Sequence, residues 1–333
     1  VARQTEAVNM AIERDPSPIL EQYANPGKIV TNAWLGAKLG TPGLKVVESD
    51  EDSLLYDIGH IPTAVRINWG ADLNDPVRRD FVSPRDFADL MDAKGIARDD
   101  TVVIYGDQSN LWAAYTLWVF ELFGHPDVRL LDGGRDAWMR EEKETSYSVP
   151  NRPTSGYPVV ERLNTQERIF ADELRESLPE LQLIDLREPE DYAGLPARVG
   201  ACNHPTPTGF SRTGHLPGSV NFALVSALHP NTRFRSRAEL QELMRGFDPE
   251  TATVAYCDNG ARAAHLWFVL RYLLGWGNVR VYDGSWIEWG NMIGVPIEVS
   301  KREAPVKKSA SGRTSPPKAG RKKPGGAKRA AKR

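Results

Sequence analysis

With 333 residues, 41% hydrophobic and 26% charged, the chain has the size and make-up of a soluble globular protein with two ordinary domains. No apolar run approaches the roughly 20 residues that cross a bilayer, and two cysteines make no disulfide framework. Without paired cysteines or closely spaced histidines, a zinc site is not expected either.

The net charge of −2 conceals two opposite regions. Residues 301–333 carry 13 Lys/Arg and one acid, which leaves 29 basic and 43 acidic side chains in the first 300 residues. The N-terminal twenty residues are polar and lack the apolar core of a secretory signal, so a cytoplasmic location is expected.

Taken in chain order, short apolar runs alternate with longer helical ones. Leu44–Glu48, Thr101–Tyr105 and Val128–Leu131 read as strands in the first half, with helices over Pro84–Lys94 and Ala113–Phe123. Ser146–Thr165 is broken by Pro150, Pro153, Gly156 and Pro158 and reads as a boundary. Leu181–Asp185, Thr253–Tyr256 and Val279–Tyr282 repeat the strand pattern, with helices over Ser236–Gly246 and Ala263–Leu274. Ser83 and Ser236 are plausible helix caps.

This alternation predicts an α/β fold: two similar domains, each a mainly parallel sheet covered by helices on both faces. The expected division is an extension over 1–27, a first domain over 28–146, a linker over 147–165, a second domain over 166–300 and the tail over 301–333. The tail is rich in Lys, Arg, Pro, Gly, Ala and Ser and cannot bury enough apolar surface to offset its ordering entropy, so it is expected to be disordered. Its charge permits nucleic-acid contact, but it lacks the aromatics that stack on bases, and a solvated extension is the expectation.

The two halves are copies. Val103-Ile104-Tyr105-Gly106-Asp107, Gly124, Val128-Arg129, Asp132-Gly133 and Trp138 reappear 151 residues later as Val254-Ala255-Tyr256-Cys257-Asp258, Gly275, Val279-Arg280, Asp283-Gly284 and Trp289. Gly106 stands where Cys257 stands, so the scaffold is kept twice and the thiol once. A second repeat, Gly59-His60-Ile61-Pro62 against Gly214-His215-Leu216-Pro217, occurs in both halves. A pair shared with the thiol-free half marks structural rather than catalytic histidines.

Cys257 follows a strand and precedes a helix across Asp258-Asn259-Gly260-Ala261-Arg262. Such a loop can aim successive backbone N–H groups and a helix N-terminus at the sulfur, which is expected to lower its pKa and favour the reactive thiolate. Gly260 eases the tight turn and Arg262 adds a positive charge for an anionic substrate or leaving group. Loops at the C-terminal ends of parallel strands are where such sheets bind ligands. Cys202, among prolines in an irregular stretch, reads as incidental, although a reversible bridge to Cys257 is conceivable.

From about Lys28 to Val299 the chain resembles the tandem rhodanese family of sulfurtransferases. The resemblance rests on Asp185-Leu186-Arg187, on Arg212-Thr213-Gly214-His215-Leu216-Pro217-Gly218-Ser219, on the six-residue loop from Cys257, and on Asp283-Gly284-Ser285-Trp286 with Trp289. It implies an inactive first domain and a second whose Cys257 takes a sulfur from a donor such as thiosulfate, releasing sulfite. The Cys257 persulfide then passes that sulfur to cyanide or a thiol. Asp258, Asn259, Gly260, Ala261 and Arg262 would contact substrate, while Asp185, Arg187 and Arg212 would support the site, with Arg187 in a buried pair with a carboxylate. No metal or organic cofactor is implied, and the partners are a small anionic sulfur donor and a nucleophilic acceptor.

The chain departs from the family pattern in three places. Asp258 stands where thiosulfate-using members carry a basic residue, and it fits the small neutral residues of mercaptopyruvate-using members no better. Asp191 replaces an arginine used by some members for anions, leaving Arg262 as the expected anion contact. Glu48-Ser49-Asp50 replaces Asp-x-Arg, so the first half is expected to lack that arginine. A 3-mercaptopyruvate sulfurtransferase, or a non-catalytic binding or regulatory protein of this fold, are the alternatives. A cysteine phosphatase is disfavoured, because those enzymes place five residues between cysteine and arginine and only four separate Cys257 from Arg262.

Overall fold

The computed structural model describes residues 12–194 and 212–300, so Cys202 and the basic tail lie outside the described residues. In the first half five parallel strands, β1 (Ile29–Val30), β2 (Leu44–Glu48), β3 (Ala64–Arg66), β4 (Thr101–Tyr105) and β5 (Asp127–Leu131), stand in the order β1-β5-β4-β2-β3. Around them lie α1 (Asn32–Lys38), α2 (Pro84–Ala93), α3 (Leu111–Leu122) and α4 (Gly134–Arg140). The second half has β6 (Gln182–Asp185), β7 (Val220–Asn221), β8 (Thr253–Tyr256) and β9 (Val279–Val281) in the order β7-β6-β8-β9, again all parallel. Its helices are α5 (Asn164–Glu167), α6 (Ala171–Ser177), α7 (Pro189–Ala193), α8 (Arg237–Leu243), α9 (Ala261–Phe268) and α10 (Ser285–Trp289).

Strand alternation sends side chains into three cores. Val102 and Ile104 of β4 face one core, Val103 and Tyr105 another. In β8, Ala255 and the following Cys257 face the first of these, while Val254 and Tyr256 face a third. The first core is shared by both halves, with α3 packed against α9 at its centre. Trp118 on α3 and Trp267 and Phe268 on α9 are fully buried there, each worth about 1.5–3 kcal/mol relative to exposure. One parity of the strand period therefore delivers Cys257 to the seam between the halves.

Segments outside the sheets are tied to this core. Ala24 and Asn25 donate to the carbonyls of Leu273 and Tyr272 at 3.0 and 2.9 Å, which fastens the N-terminal segment to the second half. The proline-rich stretch lies against the first half, with Ser155 Oγ donating to the Ile96 carbonyl at 2.7 Å and Tyr157 buried beside Phe87 and His125. α9 begins at Ala261 rather than Ala263, because Gly260, at φ +95°, completes the turn two residues early. The continuation Val269–Leu274 is a wide π-type turn rather than α-helix.

The repeated Gly-His-x-Pro turns have one job in both halves. His60 stacks on Tyr56 and His215 on Tyr192, each with centroids 3.8 Å apart. The next residues, Ile61 and Leu216, donate their N–H to the hydroxyls of strand tyrosines Tyr105 and Tyr256 at 2.8 and 3.1 Å. Both histidines are buried and structural.

Candidate active site

Cys257 sits at the end of β8, and α10 holds the chain around it. The Cys257 N–H donates to Ser285 Oγ at 3.2 Å, and the Trp286 and Ile287 N–H groups donate to the Cys257 and Asp258 carbonyls, both at 3.0 Å. The Gly260 N–H points at the sulfur, 3.1 Å from Sγ. Gly260 is required there: with φ +95°, an added Cβ would lie 3.0 Å from Cα and Cβ of Asp283. The Asn259 side chain closes the turn by accepting the Ala261 N–H at 3.3 Å.

The expectation of a lowered thiol pKa is not met. Burial of Cys257, which is 1% exposed, pushes the thiol up, and the Asp258 charge adds to that push. Arg262 and the Ala263 and Asn259 amides act in the opposite direction and are outweighed. Donors aimed at a sulfur lower its pKa only where they exceed the cost of removing the anion from water.

Arg262 donates to Asp258 Oδ2 at 3.1 Å and stands 3.5 Å from Glu188 Oε1. Burial raises the Asp258 carboxyl, with Arg262 opposing. The expected anion contact is thus already shared between two carboxylates of its own chain. Arg187 pairs with Asp185 at 2.6 Å, both side chains at most 1% exposed, and lies over the Trp286 ring at 4.1 Å. Arg212 stands away from the thiol and binds the Trp289 and Val295 carbonyls at 3.0 and 3.1 Å, closing the end of α10.

The thiol pocket is roofed by the first half. A cavity of about 30 Å³ is lined by Cys257, Asp258, Asn259, Ala261 and Arg262 from below and by Leu111 and Trp112 from above. It has room for at least one atom of the size of a water oxygen or a sulfur. Two larger cavities flank it. One of about 250 Å³ shares Leu111 and Arg262 with it, and one of about 330 Å³ shares Trp112 and Asn259. Residue-by-residue reading missed Leu111 and Trp112. The signal was present: shifted by 151, they stand where Arg262 and Ala263 stand, on the helix that faces α9.

In the first half the position of the cysteine is closed. A Cβ on Gly106 would lie 2.1 Å from the Ser49 carbonyl oxygen, so no cysteine fits. The arginine of Asp-x-Arg is missing there as expected, with Asp50 in its place, and Arg135, at the counterpart of Trp286, reaches Glu48 at 3.0 Å and takes over the pair.

The rhodanese-like domain pattern matches this chain twice, over residues 31–141 and 170–292. The chain is 58% identical over 295 residues to a thiosulfate sulfurtransferase of Corynebacterium glutamicum, covering 88% of this chain and 97% of the relative. It is 54% identical to the putative thiosulfate sulfurtransferase SseA of Mycobacterium tuberculosis, over 86% of this chain and 96% of that one. It is 43% identical to the sulfur carrier protein TtuD of Thermus thermophilus, over 83% and 98%. The crystal structure of YnjE superposes with a TM-score of 0.72 at 23% identity, over 84% of this chain and 70% of that one, which is a likeness of fold.

Proposed function

The chain belongs to the rhodanese-like family, and on that premise we propose that it is a thiosulfate sulfurtransferase acting through a Cys257 persulfide. The Cys257 thiolate attacks the outer sulfur of thiosulfate, forming a new S–S bond while the bond to the sulfonate sulfur breaks. The electron pair leaves with sulfite, and the persulfide keeps one negative charge. Cyanide or a thiolate then takes the outer sulfur and returns Cys257 to thiolate. The Gly260 N–H, and the amides of Asn259 and Ala263, hold charge on sulfur in both half-reactions.

One observation carries this reading: a sulfur 3.1 Å from a main-chain donor, lining a cavity with room for at least one further atom. Mass spectrometry after incubation with thiosulfate tests it. The expected result is one added sulfur on the wild type with sulfite released, and none on Cys257→Ser. A wild type left unmodified by both thiosulfate and 3-mercaptopyruvate defeats the proposal. Modification by mercaptopyruvate alone transfers the activity to that donor.

A further inference from the structure

We propose that the thiol-free half supplies the donor's sulfonate site: the indole N–H of Trp112 and the guanidinium of Arg79, in the 330 Å³ cavity beside the thiol pocket. This rests on the persulfide reading above and names how its substrate is held.

Three observations carry it. Trp112 is 4% exposed, and its Nε1 has no hydrogen-bond partner among the described residues. Buried indole N–H groups ordinarily find an acceptor, and leaving one unpaired costs about 1–3 kcal/mol. Of the residues lining the thiol pocket, Trp112 alone carries such an orphaned atom. Its ring is stacked on Trp69 at 3.6 Å with planes 8° apart, so the donor is held in place rather than free to turn.

Charge points the same way. At the thiol pocket itself, Arg262 is engaged by Asp258 and Glu188. In the Trp112 cavity each carboxylate already has its own arginine: Asp75 has Arg78, Asp80 has Arg162 and Arg168, and Asp283 has Arg168. Arg79 lines the same cavity and donates to the Asp283 main-chain carbonyl at 3.3 Å, with no carboxylate of the described residues within ion-pair distance. The small pocket at the thiol takes the outer sulfur of thiosulfate, and the larger cavity beside it has room for the sulfonate. Trp112 stands at that junction. Negative charge on the sulfonate oxygens grows as sulfite departs, and a fixed donor there favours the transition state over the bound substrate.

Ping-pong kinetics make the test selective, because each donor's kcat/KM reports only the first half-reaction. Thiosulfate is compared with an alkyl persulfide, which delivers the same sulfur without a sulfonate. Trp112→Phe keeps a ring for the stack and removes the N–H. The ratio of thiosulfate to alkyl-persulfide kcat/KM should fall about 100-fold in it, the scale of one lost preorganised donor. Arg79→Gln changes an exposed side chain and should lower the same ratio about tenfold. An unchanged ratio in either variant overturns the proposal, as does an equal fall for both donors, which marks a merely structural role. Should Trp112→Phe fail to fold, Arg79→Gln decides by itself. A wild type that forms no persulfide with thiosulfate is a different failure, and it removes the underlying reading first.

Discussion

The two halves bury the same carboxylate and neutralise it with different arginines. In the second half Asp185, paired in register with Tyr256, is met by Arg187 from two residues along its own strand end. In the first half Glu48, in register with Tyr105, is met by Arg135 from the start of α4, while Asp50 occupies the place of Arg187. The fold needs the pair, because a lone carboxylate buried at the end of a central strand is costly. It does not need the arginine in a particular place. Only the half with the thiol keeps it at the strand end, where Arg187 also lines the 250 Å³ cavity beside the cysteine loop.

The exchange leaves a mark. Asp50 is 3% exposed with one oxygen unpartnered, and burial together with Glu48 pushes its carboxyl up to about 9. Next to it, Gln108, Ser109 and Asn110 are all left-handed, at φ +47°, +58° and +67°. In the second half the corresponding turn needs only Gly260 in that region. The thiol-free loop has exchanged a ligand cradle for a strained turn that sets Leu111 and Trp112 over its neighbour's sulfur.

The comparison breaks if a thiol can be restored to the first half. Gly106→Cys must displace the Ser49 carbonyl, and a loss of about 5 kcal/mol or more is expected in denaturant unfolding, a size reserved for such collisions. Thiosulfate should still add one sulfur per chain to any folded fraction. Two sulfurs would show that the first loop is merely unoccupied rather than closed.

Removing either arginine sharpens the contrast. Arg187→Ala and Arg135→Ala each strand a buried carboxylate and should cost about 3–5 kcal/mol by the same measurement. A loss confined to one of them would mean that the two pairs are not equivalent.

A smaller effect separates charge from burial at the thiol. Asp258 helps to raise the Cys257 pKa, so Asp258→Asn should move the pH profile of thiol alkylation toward acid. At a fixed pH on the acid side of the profile the variant should alkylate faster than the wild type. An unmoved profile would assign the raised value to burial alone.

The last test concerns Asp50. A carboxyl raised on folding contributes stability that is present at low pH and is lost as pH climbs from its unfolded value through about 9. Asp50→Asn has no such loss. Its stability relative to wild type should therefore increase steadily over that window. A constant difference between pH 4 and 9 would mean that Asp50 titrates in the folded protein as it does in the unfolded chain.

What the sequence determined by itself is local. Strand alternation in Thr253–Tyr256 placed Cys257 on one face, the Gly260 turn formed the cradle, and Asp185 with Arg187, two residues apart, formed their pair without help from elsewhere. Duplication made the missing thiol legible as Gly106. The tertiary structure alone decided the rest. Leu111 and Trp112 reach the sulfur across some 145 residues of chain, through the packing of α3 on α9. Arg135 could stand in for Arg187 because a position remote in sequence lies close in space. The direction of the thiol's pKa follows from burial, and burial is a property of what packs overhead rather than of the loop that carries the sulfur.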